Sequence, residues 1–389
     1  MIKSLYLWLV KVISLLHFHK DRKNVVYIMS FDNNMNLIYK IAKAMPEGHH
    51  LIVFYTRINP HQRAILALHR RRIRAICFKD GLRFVFKLLP IILSARLIIC
   101  DNYYPFLGGL KLPKNVKVIQ LWHADGAVKE FGWGDPDTAH QSRSDQHRYQ
   151  SVYNHFDNYV VASKAMGQVF VNDYHIPFSR IRLLGYPRSD IFFNRKWIER
   201  SRRQVLKRYP QFRGRRIILY APTYRKGVKY NPPIGLVKSL TSDPKAIVIV
   251  RLHPALRDQF SWIEQEIGFS SRLYYLNNAS TAKLLTITNT LITDYSSVAF
   301  DYSLLPRAHS LIFFMYDLAK YQKMPGCQPN FLNWLPDSPV ENVKDLARVI
   351  KQNKKTNLKA FNLRWNTYND GHASDRFIHH YIEPLRRRN

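Results

Sequence analysis

Residues 291–305 have the sequence LITDYSSVAFDYSLL, in which a short apolar run is followed at once by a dense group of polar side chains. The apolar run LIT predicts a short buried strand, and Thr293 or Asp294 is suited to cap a helix that follows it. Ser296 and Ser297 would then lie in the first helical turn, where free backbone N–H groups and the helix dipole attract anions. The stretch therefore predicts a strand, a phosphate-binding turn and a helix.

Asp301 follows Asp294 by seven residues, which is two helical turns, so we expect both carboxylates on the same face. Apolar residues precede Asp301, and a carboxylate in such surroundings needs a partner. One hypothesis is that Asp301 binds the hydroxyls of a ribose or small polyol. The other is that it caps a neighbouring element or pairs with one of the many Arg residues, and the spacing alone leaves both open.

The composition limits the class of protein. A chain of 389 residues fits two domains better than one, and its 46% hydrophobic content suits globular folding. The 60 Lys and Arg residues against 27 Asp and Glu give a net charge of +33, so the partner is anionic: nucleic acid, an acidic membrane surface or a phosphorylated substrate. The three Cys residues have no regular spacing, which excludes a disulfide framework and suits a reducing cytoplasm.

The N-terminal residues, MIKSLYLWLVKVISLLHFHK, predict an amphipathic helix. Lys11 interrupts the apolar run and no small-residue cleavage site follows, which argues against a signal peptide. The segment is also too short and too charged to span a bilayer, so we expect it to lie on a membrane or on another domain. The predicted apolar stripe consists of Leu5, Leu9, Val12, Ile13 and Leu16.

Between residues 63 and 100 the charge is the most one-sided in the chain, with a cluster of four arginines: Arg70, Arg71, Arg72 and Arg74. A helix downstream would place apolar residues on one face and basic residues on the other, which is typical of a helix lying in a membrane interface. Its apolar face would carry Leu82, Val85, Phe86 and Leu89, opposite Arg83 and Lys87. The alternative is a core-facing helix with a solvated basic face; with the N-terminal segment, the pattern favours peripheral membrane attachment.

The order of predicted elements gives the fold class. The strand VVYIMS, the helix NLIYKIAKAM and the strand LIVFYT open a layered α/β domain. A fresh run of strands begins after the basic segment NRKWIERSRRQVLKRYP. We therefore predict an N-terminal domain over residues 1–190, a second domain over 191–360, and a C-terminal helix within 361–389 that packs back across the domains.

A second polar stretch, WHADGAVKEFGW, follows the predicted strand NVKVIQLW and places His123 where that strand ends. Ligands of layered α/β folds bind beyond the carboxyl ends of the strands, and an imidazole suits a general base near neutral pH. Asp125 is close enough in sequence to orient the ring, and Lys129 follows. The alternative for a single His is a surface residue or a hydrogen-bonded structural one.

Other predicted strands end in the same way. The loop after RRIILYA presents Thr223 and Arg225, and the loop after KAIVIV presents Arg251 and His253. Arg188 lies in the turn GYPRSD, which follows another predicted strand. Such polar strand ends are difficult to explain by packing, so the pattern indicates one cleft that receives an anionic ligand.

Seven segments together resemble one known family. WHADGAVKEFG, GYPRSD, YAPTYR, RLHP, TDYSSVAFDYSLL, FFMYDLAKY and YNDGHASDR occur in the order and approximate spacing of the CDP-glycerol glycerophosphotransferases that build bacterial wall teichoic acid, over about residues 25–380. Each segment is short, but seven in order are specific. Ala-Asp-Gly after the first histidine, and the lack of the extra N-terminal region of the long polymerases, are similar to the priming members of the family.

The resemblance implies a GT-B-like fold with two Rossmann-type domains and a cleft between them, and peripheral attachment to the inner face of the membrane. It implies transfer of glycerol phosphate from CDP-glycerol to an undecaprenyl-diphosphate-linked disaccharide of N-acetylglucosamine and N-acetylmannosamine, with release of CMP and no cofactor. His123 matches the histidine regarded as the base, and His253 matches the one in the phosphate site. Arg251 stands where a Lys is common, which keeps the positive charge.

On this hypothesis the remaining polar residues bind the donor or the acceptor. His253, Arg251, Arg225 and the helix start at Ser296 and Ser297 would stabilise charge on the diphosphate. Thr223, Asp294 and Asp301 would position the nucleotide or the glycerol. The other predicted substrate-binding residues are Asp125, Lys129, Arg188 and Thr293.

Two alternatives remain. The enzyme could extend the polymer or use CDP-ribitol, or a basic chain of this kind could bind nucleic acid along a phosphate-tracking surface. No recognised nucleic-acid motif is present, and the polar groups gather at strand ends, so no nucleic-acid partner is expected. No metal site is expected either, because the 16 His are scattered and His379 and His380 are adjacent rather than spaced by one helical turn.

Overall fold

The computed structural model describes residues 2–19, 22–46, 49–225 and 230–386. The chain divides into two compact units. The first comprises Met1–Ala124, Asp137–Asp190 and Tyr368–Asn389, and the second comprises Asp125–Pro136 and Ile191–Thr367. Residues 125–136, which the sequence-based division places in the N-terminal domain, thus group with the second unit.

The first unit is built on a parallel sheet. Its strands are β1 (Asn24–Met29), β2 (Leu51–Tyr55), β3 (Ile73–Cys77), β4 (Ala95–Cys100), β5 (Lys117–Gln120), β6 (Asn158–Val160) and β7 (Ile181–Arg182). They lie in the order β3-β2-β1-β4-β5-β6-β7. The central strands are buried on both faces, which is why their sequences are almost continuously apolar rather than alternating.

The second unit repeats this plan with a smaller parallel sheet. Its strands are β8 (Arg216–Ala221), β9 (Ala246–Val250), β10 (Leu273–Tyr275), β11 (Thr290–Thr293) and β12 (Ser310–Phe313). They lie in the order β10-β9-β8-β11-β12. In each sheet the strand order reverses beside the first strand, β1 or β8, and this is the place where open α/β sheets bind their ligands.

Helices connect the strands. The α-helices are α1 (Ile2–Leu16), α2 (Met35–Ala44), α3 (Pro60–Leu68), α4 (Leu89–Ile92), α5 (Pro136–Ala139), α6 (Arg143–His155), α7 (Lys164–Tyr174), α8 (Arg195–Arg208), α9 (Leu236–Leu240), α10 (Phe260–Ile267), α11 (Thr281–Leu285), α12 (Val298–Ser303), α13 (Leu318–Lys323), α14 (Val343–Gln352), α15 (Lys359–Trp365), α16 (Ala373–Phe377) and α17 (Glu383–Arg386). Short 3₁₀-helices are Asp32–Asn34, Pro105–Gly109, Phe178–Arg180, Pro187–Phe193, Pro210–Phe212, Pro254–Gln259 and Phe331–Trp334, and π-helices are Phe84–Leu88 and Ile378–Ile382.

The N-terminal segment is helical, but α1 buries its predicted apolar stripe only in part, since Leu9, Val12 and Ile13 are half-buried and Leu5 and Leu16 are exposed. Val10 and Ser14 are its buried residues, and the Ser14 hydroxyl accepts the Lys111 backbone N–H at 3.0 Å. Trp8 and Leu16 are 57% and 73% exposed. Among the described helices, none combines the length and apolar content needed to cross a bilayer.

Residues 82–89 also depart from the prediction of a helix with one apolar face. Val85 and Leu89 are fully buried, whereas Leu82 and Phe86 are exposed. The segment contains the π-helix Phe84–Leu88 before α4 begins. A π turn holds more residues than an α turn, so apolar residues spaced for an α-helix lie on different sides of it.

The segment after β5 is attached to the second unit. Lys129 and Cys327 form an isolated antiparallel bridge, and the Gln328 backbone N–H donates to the Val128 carbonyl at 2.8 Å. Gly126 lies against Phe300 of α12 so closely that a Cβ at this position would be 2.5 Å from the ring. Lys129 therefore belongs to the second unit, although only six positions separate it from His123.

The C-terminal segment is attached to the first unit. The Asp190 carboxylate accepts the backbone N–H groups of Ala373 and Ser374 at 3.0 and 2.9 Å, at the start of α16. The Tyr186 N–H donates to the Asn369 side-chain oxygen at 2.8 Å. These contacts explain why the sequences GYPRSD and YNDGHASDR, far apart in the chain, belong to one unit.

Replacement of Gly126 by Ala is expected to destabilise the second unit by about 1–3 kcal/mol, because the added methyl group overlaps the buried Phe300 ring. Urea unfolding of the two proteins measures the difference. In a Phe300→Leu background the same replacement should cost less, since the smaller side chain leaves room for the methyl group. An equal loss in both backgrounds would show that the cost does not come from this contact.

Candidate functional site

In the first unit, polar groups follow three adjacent strands. The carboxyl ends of β1, β4 and β5 lead respectively to Ser30 and Phe31, to Asp101, and to His123. Parallel strands end at the same edge of a sheet, so these residues lie together at the point where ligands of such folds bind.

Asp101 holds this edge together, although the sequence prediction did not include it. Its carboxylate accepts the backbone N–H groups of Ser30 and Phe31 at 2.9 and 3.0 Å and the Tyr104 hydroxyl at 3.0 Å. Burial raises the pKa of Asp101 to about 7, and the three donors act against that rise. Its signal was available in the sequence LIICD, where a polar residue directly follows an apolar run, as at the other strand ends.

The imidazole of His123 is positioned by its neighbours. Phe31 stacks on it with 4.4 Å between ring centroids, and Trp122 lies on it at 4.3 Å. The ring Nδ1 is 3.4 Å from the Asp101 carbonyl oxygen. A carbonyl can only accept a hydrogen bond, so Nδ1 is the protonated nitrogen and Nε2 presents a lone pair.

The backbone around His123 is fixed as well. Asn33 donates from its side-chain amide to the His123 carbonyl at 3.2 Å, and the Gln120 side chain accepts the Trp122 N–H at 2.9 Å. Trp122 has a φ of +60°, a conformation that costs an L residue energy and that recurs at functional sites. The turn that carries His123 is therefore held in one conformation by specific contacts.

Electrostatics keep His123 neutral. Burial lowers the pKa of His123 to about 4, the hydrogen bond to the Asp101 carbonyl opposes this, and the positive charge of Arg188 lowers it further. At pH 7 the ring is thus unprotonated and able to accept a proton. Arg188, predicted from the GYPRSD turn, is close enough to act on His123. Asp125 is buried and groups with the second unit, and its predicted role in orienting the imidazole stays a prediction.

In the second unit a buried carboxylate occupies the equivalent place. Asp294, directly after β11, accepts the backbone N–H groups of Thr223 and Tyr295 at 2.8 and 2.7 Å and the Arg225 guanidinium at 3.0 Å. Only 1% of Asp294 is exposed. Its oxygens are therefore already engaged, which argues against the predicted contact with the nucleotide or the glycerol.

Arg225 is likewise committed to protein partners. It pairs with Asp317 through Nε and Nη2, at 2.6 and 3.0 Å, in addition to Asp294. Burial works against the charged form, but the two carboxylates outweigh it and raise the pKa of Arg225 above its ordinary value. The prediction that Arg225 contacts the diphosphate is not supported by these contacts, because a buried cation with two carboxylate partners is a structural ion cluster.

Three other basic residues of the second unit, Lys129, Arg251 and His253, lie near one another. Lys129 donates to the Tyr224 carbonyl at 3.2 Å, and the Tyr224 ring stacks near His253. Burial, then the charges of Lys129 and Arg251, lower the pKa of His253 to about 4, and part of its side chain stays exposed. Burial also lowers the pKa of Lys129 and of Arg251. The charges of Lys129 and Arg251 thus disfavour protonation of His253, and a bound anion would relieve that repulsion.

The structure of residues 291–305 differs in detail from the one that their sequence predicts. The helix α12 begins at Val298, so Ser296 and Ser297 precede it instead of forming its first turn, and Asp294 does not share its face with Asp301. The Thr293 hydroxyl donates to the Ala221 carbonyl at 2.7 Å, so it supports the sheet.

For two residues of this unit, Thr223 and Asp301, ligand binding stays a prediction. The Thr223 hydroxyl is buried and has no hydrogen-bond partner among the residues that the structure describes, which leaves it available to a ligand. Asp301 is a buried residue of α12, and its binding of a hydroxyl stays a prediction. Arg251 donates to the Ala279 carbonyl at 2.9 Å and also to the Leu252 carbonyl. Within the described ranges no three His, Cys, Asp or Glu side chains come together as metal ligands.

A titration of His123 tests this description of the first unit. We expect its pKa near 4 rather than at the ordinary 6.5, and Arg188→Gln should raise it, because a nearby positive charge disfavours protonation. Between these two pH values the unfolded chain binds a proton at His123 and the folded chain does not, so this residue's contribution to stability falls as the pH is lowered through that window. Nitrogen-15 NMR of the labelled imidazole measures the pKa, and titration near 6.5 would contradict the description.

The chain is similar in sequence to proteins of teichoic acid synthesis. The teichoic acid glycerol-phosphate primase of Bacillus subtilis (strain 168) is 27% identical over 395 residues, which cover 99% of this chain and 98% of that protein. The teichoic acid ribitol-phosphate primase of Bacillus spizizenii is 30% identical over 292 residues, which cover 73% of this chain and 74% of that protein.

A solved structure of the wall teichoic acid polymerase TagF is similar to this one, with a TM-score of 0.70 and 19% sequence identity over 98% of this chain and 95% of that chain. At this identity the likeness concerns the fold, and it confirms the predicted GT-B-like α/β class. The family of CDP-glycerol:poly(glycerophosphate) glycerophosphotransferases matches residues 9–383. Because the match extends over nearly the whole chain, the protein belongs to this family and is a CDP-glycerol glycerophosphotransferase.

Proposed function

We propose that the enzyme transfers one glycerol phosphate from CDP-glycerol to an undecaprenyl-diphosphate-linked disaccharide of N-acetylglucosamine and N-acetylmannosamine, the priming step of wall teichoic acid synthesis. The end-to-end similarity to a glycerol-phosphate primase supports priming over chain extension. The similarity to a ribitol-phosphate primase covers less of the chain, although its identity is slightly higher. Glycerol is therefore the favoured polyol, with ribitol as the second candidate.

The observation that carries this proposal is the arrangement of His123. Its Nδ1 faces the Asp101 carbonyl and its pKa is about 4, so Nε2 is an unprotonated base at neutral pH. In the proposed step an acceptor hydroxyl oxygen attacks the glycerol-bearing phosphorus of the donor. The new P–O bond forms as the bond from that phosphorus to the bridging oxygen breaks, CMP leaves with the electron pair, and the hydroxyl proton moves to Nε2.

The basic group of the second unit suits the donor. The positive charges of Lys129 and Arg251 lower the pKa of His253, and a bound diphosphate would reverse this effect. The same charges would stabilise the negative charge that develops on the leaving CMP. The Thr223 hydroxyl adds an uncharged donor in the same unit. Arg225 and Asp294 would act indirectly, by holding the loop that carries Thr223.

A lipid-linked acceptor requires that the reaction take place at a membrane surface. Exposed apolar side chains on α1, namely Leu5, Trp8, Leu15 and Leu16, support attachment there, because solvated apolar groups favour transfer to the boundary between lipid head groups and acyl chains. The net charge of +33 adds attraction to anionic lipids. We therefore propose peripheral attachment to the cytoplasmic face of the membrane.

Product analysis tests the proposal. The purified enzyme is incubated with the lipid-linked disaccharide and either CDP-glycerol or CDP-ribitol, and the products are identified by mass spectrometry. We expect one glycerol phosphate per acceptor and one CMP per transfer. Addition of many units would identify a chain-extending enzyme, and transfer from CDP-ribitol alone would identify a ribitol-phosphate primase; either outcome would contradict glycerol-phosphate priming.

A further inference from the structure

The first unit contains a second basic feature, formed by residues that are not assigned to the reaction. A surface groove of about 650 Å³ lies beside β3, the outermost strand of the sheet. Leu66 and Ile73 form part of its apolar floor. Four arginines from α3, the turn after it and β3 line the groove: Arg63, Arg70, Arg71 and Arg74.

Among the residues that the structure describes, these four side chains have no anionic partner. None of them makes an ion pair or a side-chain hydrogen bond in the described part of the chain, and the sequence contains no Asp or Glu between Glu47 and Asp80. Arg72 differs, because it donates to the Ala42 and Lys43 carbonyls at the end of α2, both at 3.3 Å. Arg72 thus has a structural role. The four groove arginines instead repel one another, and this repulsion favours binding of an external anion.

Protection of the sheet edge does not account for the whole group. A charged side chain on an outermost strand hinders pairing with another chain, and this explains Arg74 on β3. It does not explain Arg63, which lies on α3. Guanidinium groups around a concave surface are suited to a phosphate, which they bind through paired N–H donors.

We propose that this groove binds the phosphate head group of an anionic phospholipid. Leu68, one residue past the groove-lining Ala67, is 79% exposed and would enter the boundary of the acyl chains while the arginines hold the head group. The inference deepens the proposed membrane attachment, on which it rests for its biological sense, and it assigns that attachment to particular side chains. Each basic residue at an anionic surface is worth about a fivefold change in binding, so the four together amount to on the order of a hundredfold or more.

Vesicle flotation of the full chain tests the inference without any substrate. Vesicles of phosphatidylcholine are compared with and without phosphatidylglycerol, for the wild type and for a variant with glutamine at the four groove positions. We expect the variant to lose on the order of a hundredfold in binding to the anionic vesicles. A double variant, Arg70→Gln with Arg71→Gln, changes only the turn and should lose on the order of tenfold in binding to the anionic vesicles. It replaces the quadruple variant if that protein does not fold.

A matched control removes the same charge from the second unit. Exposed positions on α8 receive glutamine: Arg195, Lys196, Arg203 and Lys207. We expect this variant to bind the anionic vesicles within about threefold of the wild type, since exposed charges that do not bind a head group directly are largely screened at physiological salt. Equal losses of vesicle binding in the two variants would contradict the groove proposal and would show that net charge determines the binding.

Two further measurements separate the possible failures. Transfer to a short-chain, water-soluble acceptor should stay within about threefold of wild type in the groove variant, because none of the four arginines is among the groups assigned to the reaction. Failure of the wild type to transfer would contradict the proposed function, whereas the vesicle result stands by itself. If inorganic pyrophosphate binds the wild type and not the groove variant, while vesicle binding is the same in both, the groove is a site for a soluble phosphate and the lipid inference is wrong.

Discussion

A buried carboxylate that bonds the backbone of the neighbouring strand end occurs at the same topological place in both units. Asp101 follows β4 and accepts N–H groups of the loop after β1; Asp294 follows β11 and accepts an N–H of the loop after β8. At this point of each sheet the chain connections run in opposite directions, so backbone groups there lack a neighbouring strand to pair with. Each of these hydrogen bonds contributes about 0.5–3 kcal/mol, with the larger values for a charged acceptor, and together they fix each loop in one conformation.

These buried carboxylates determine which side chains of each unit are available to a ligand. Asp101 places its own carbonyl against His123 and Phe31 against the imidazole, so a structural carboxylate sets the orientation of the base without contacting it. Asp294 and Asp317 neutralise Arg225, and Lys129, Arg251 and His253 are left as the basic groups near one another. The first unit thus carries a neutral base, and the second carries basic groups that suit a phosphate.

Much of the sheet architecture could be predicted from the sequence, because buried parallel strands give continuous apolar runs and each run ends at a polar residue. The predicted junctions at His123, Thr223, His253 and Asp294 all lie at carboxyl ends of strands. Which polar residue serves the ligand could not be predicted, since that depends on the partners that each finds in three dimensions. Arg225 and Thr293 are occupied by protein groups, and Asp101 was missed although its sequence signal was the same. The π-helix at Phe84–Leu88 also escaped, because an apolar pattern with α-helical spacing does not distinguish an α turn from a π turn.

The central claim is that proton transfer and donor binding are served by different units. It is tested most directly by measuring, for His123→Ala and Lys129→Met, both the affinity for CDP-glycerol by calorimetry and the rate of transfer at saturating donor. We predict that His123→Ala lowers the rate by about 10²- to 10⁴-fold while its donor affinity stays within about threefold of wild type. Lys129→Met should weaken donor binding by about tenfold or more, through loss of a charge-assisted contact. A His123→Ala protein that transfers at a near-normal rate, or whose only defect is weaker donor binding, would contradict the account.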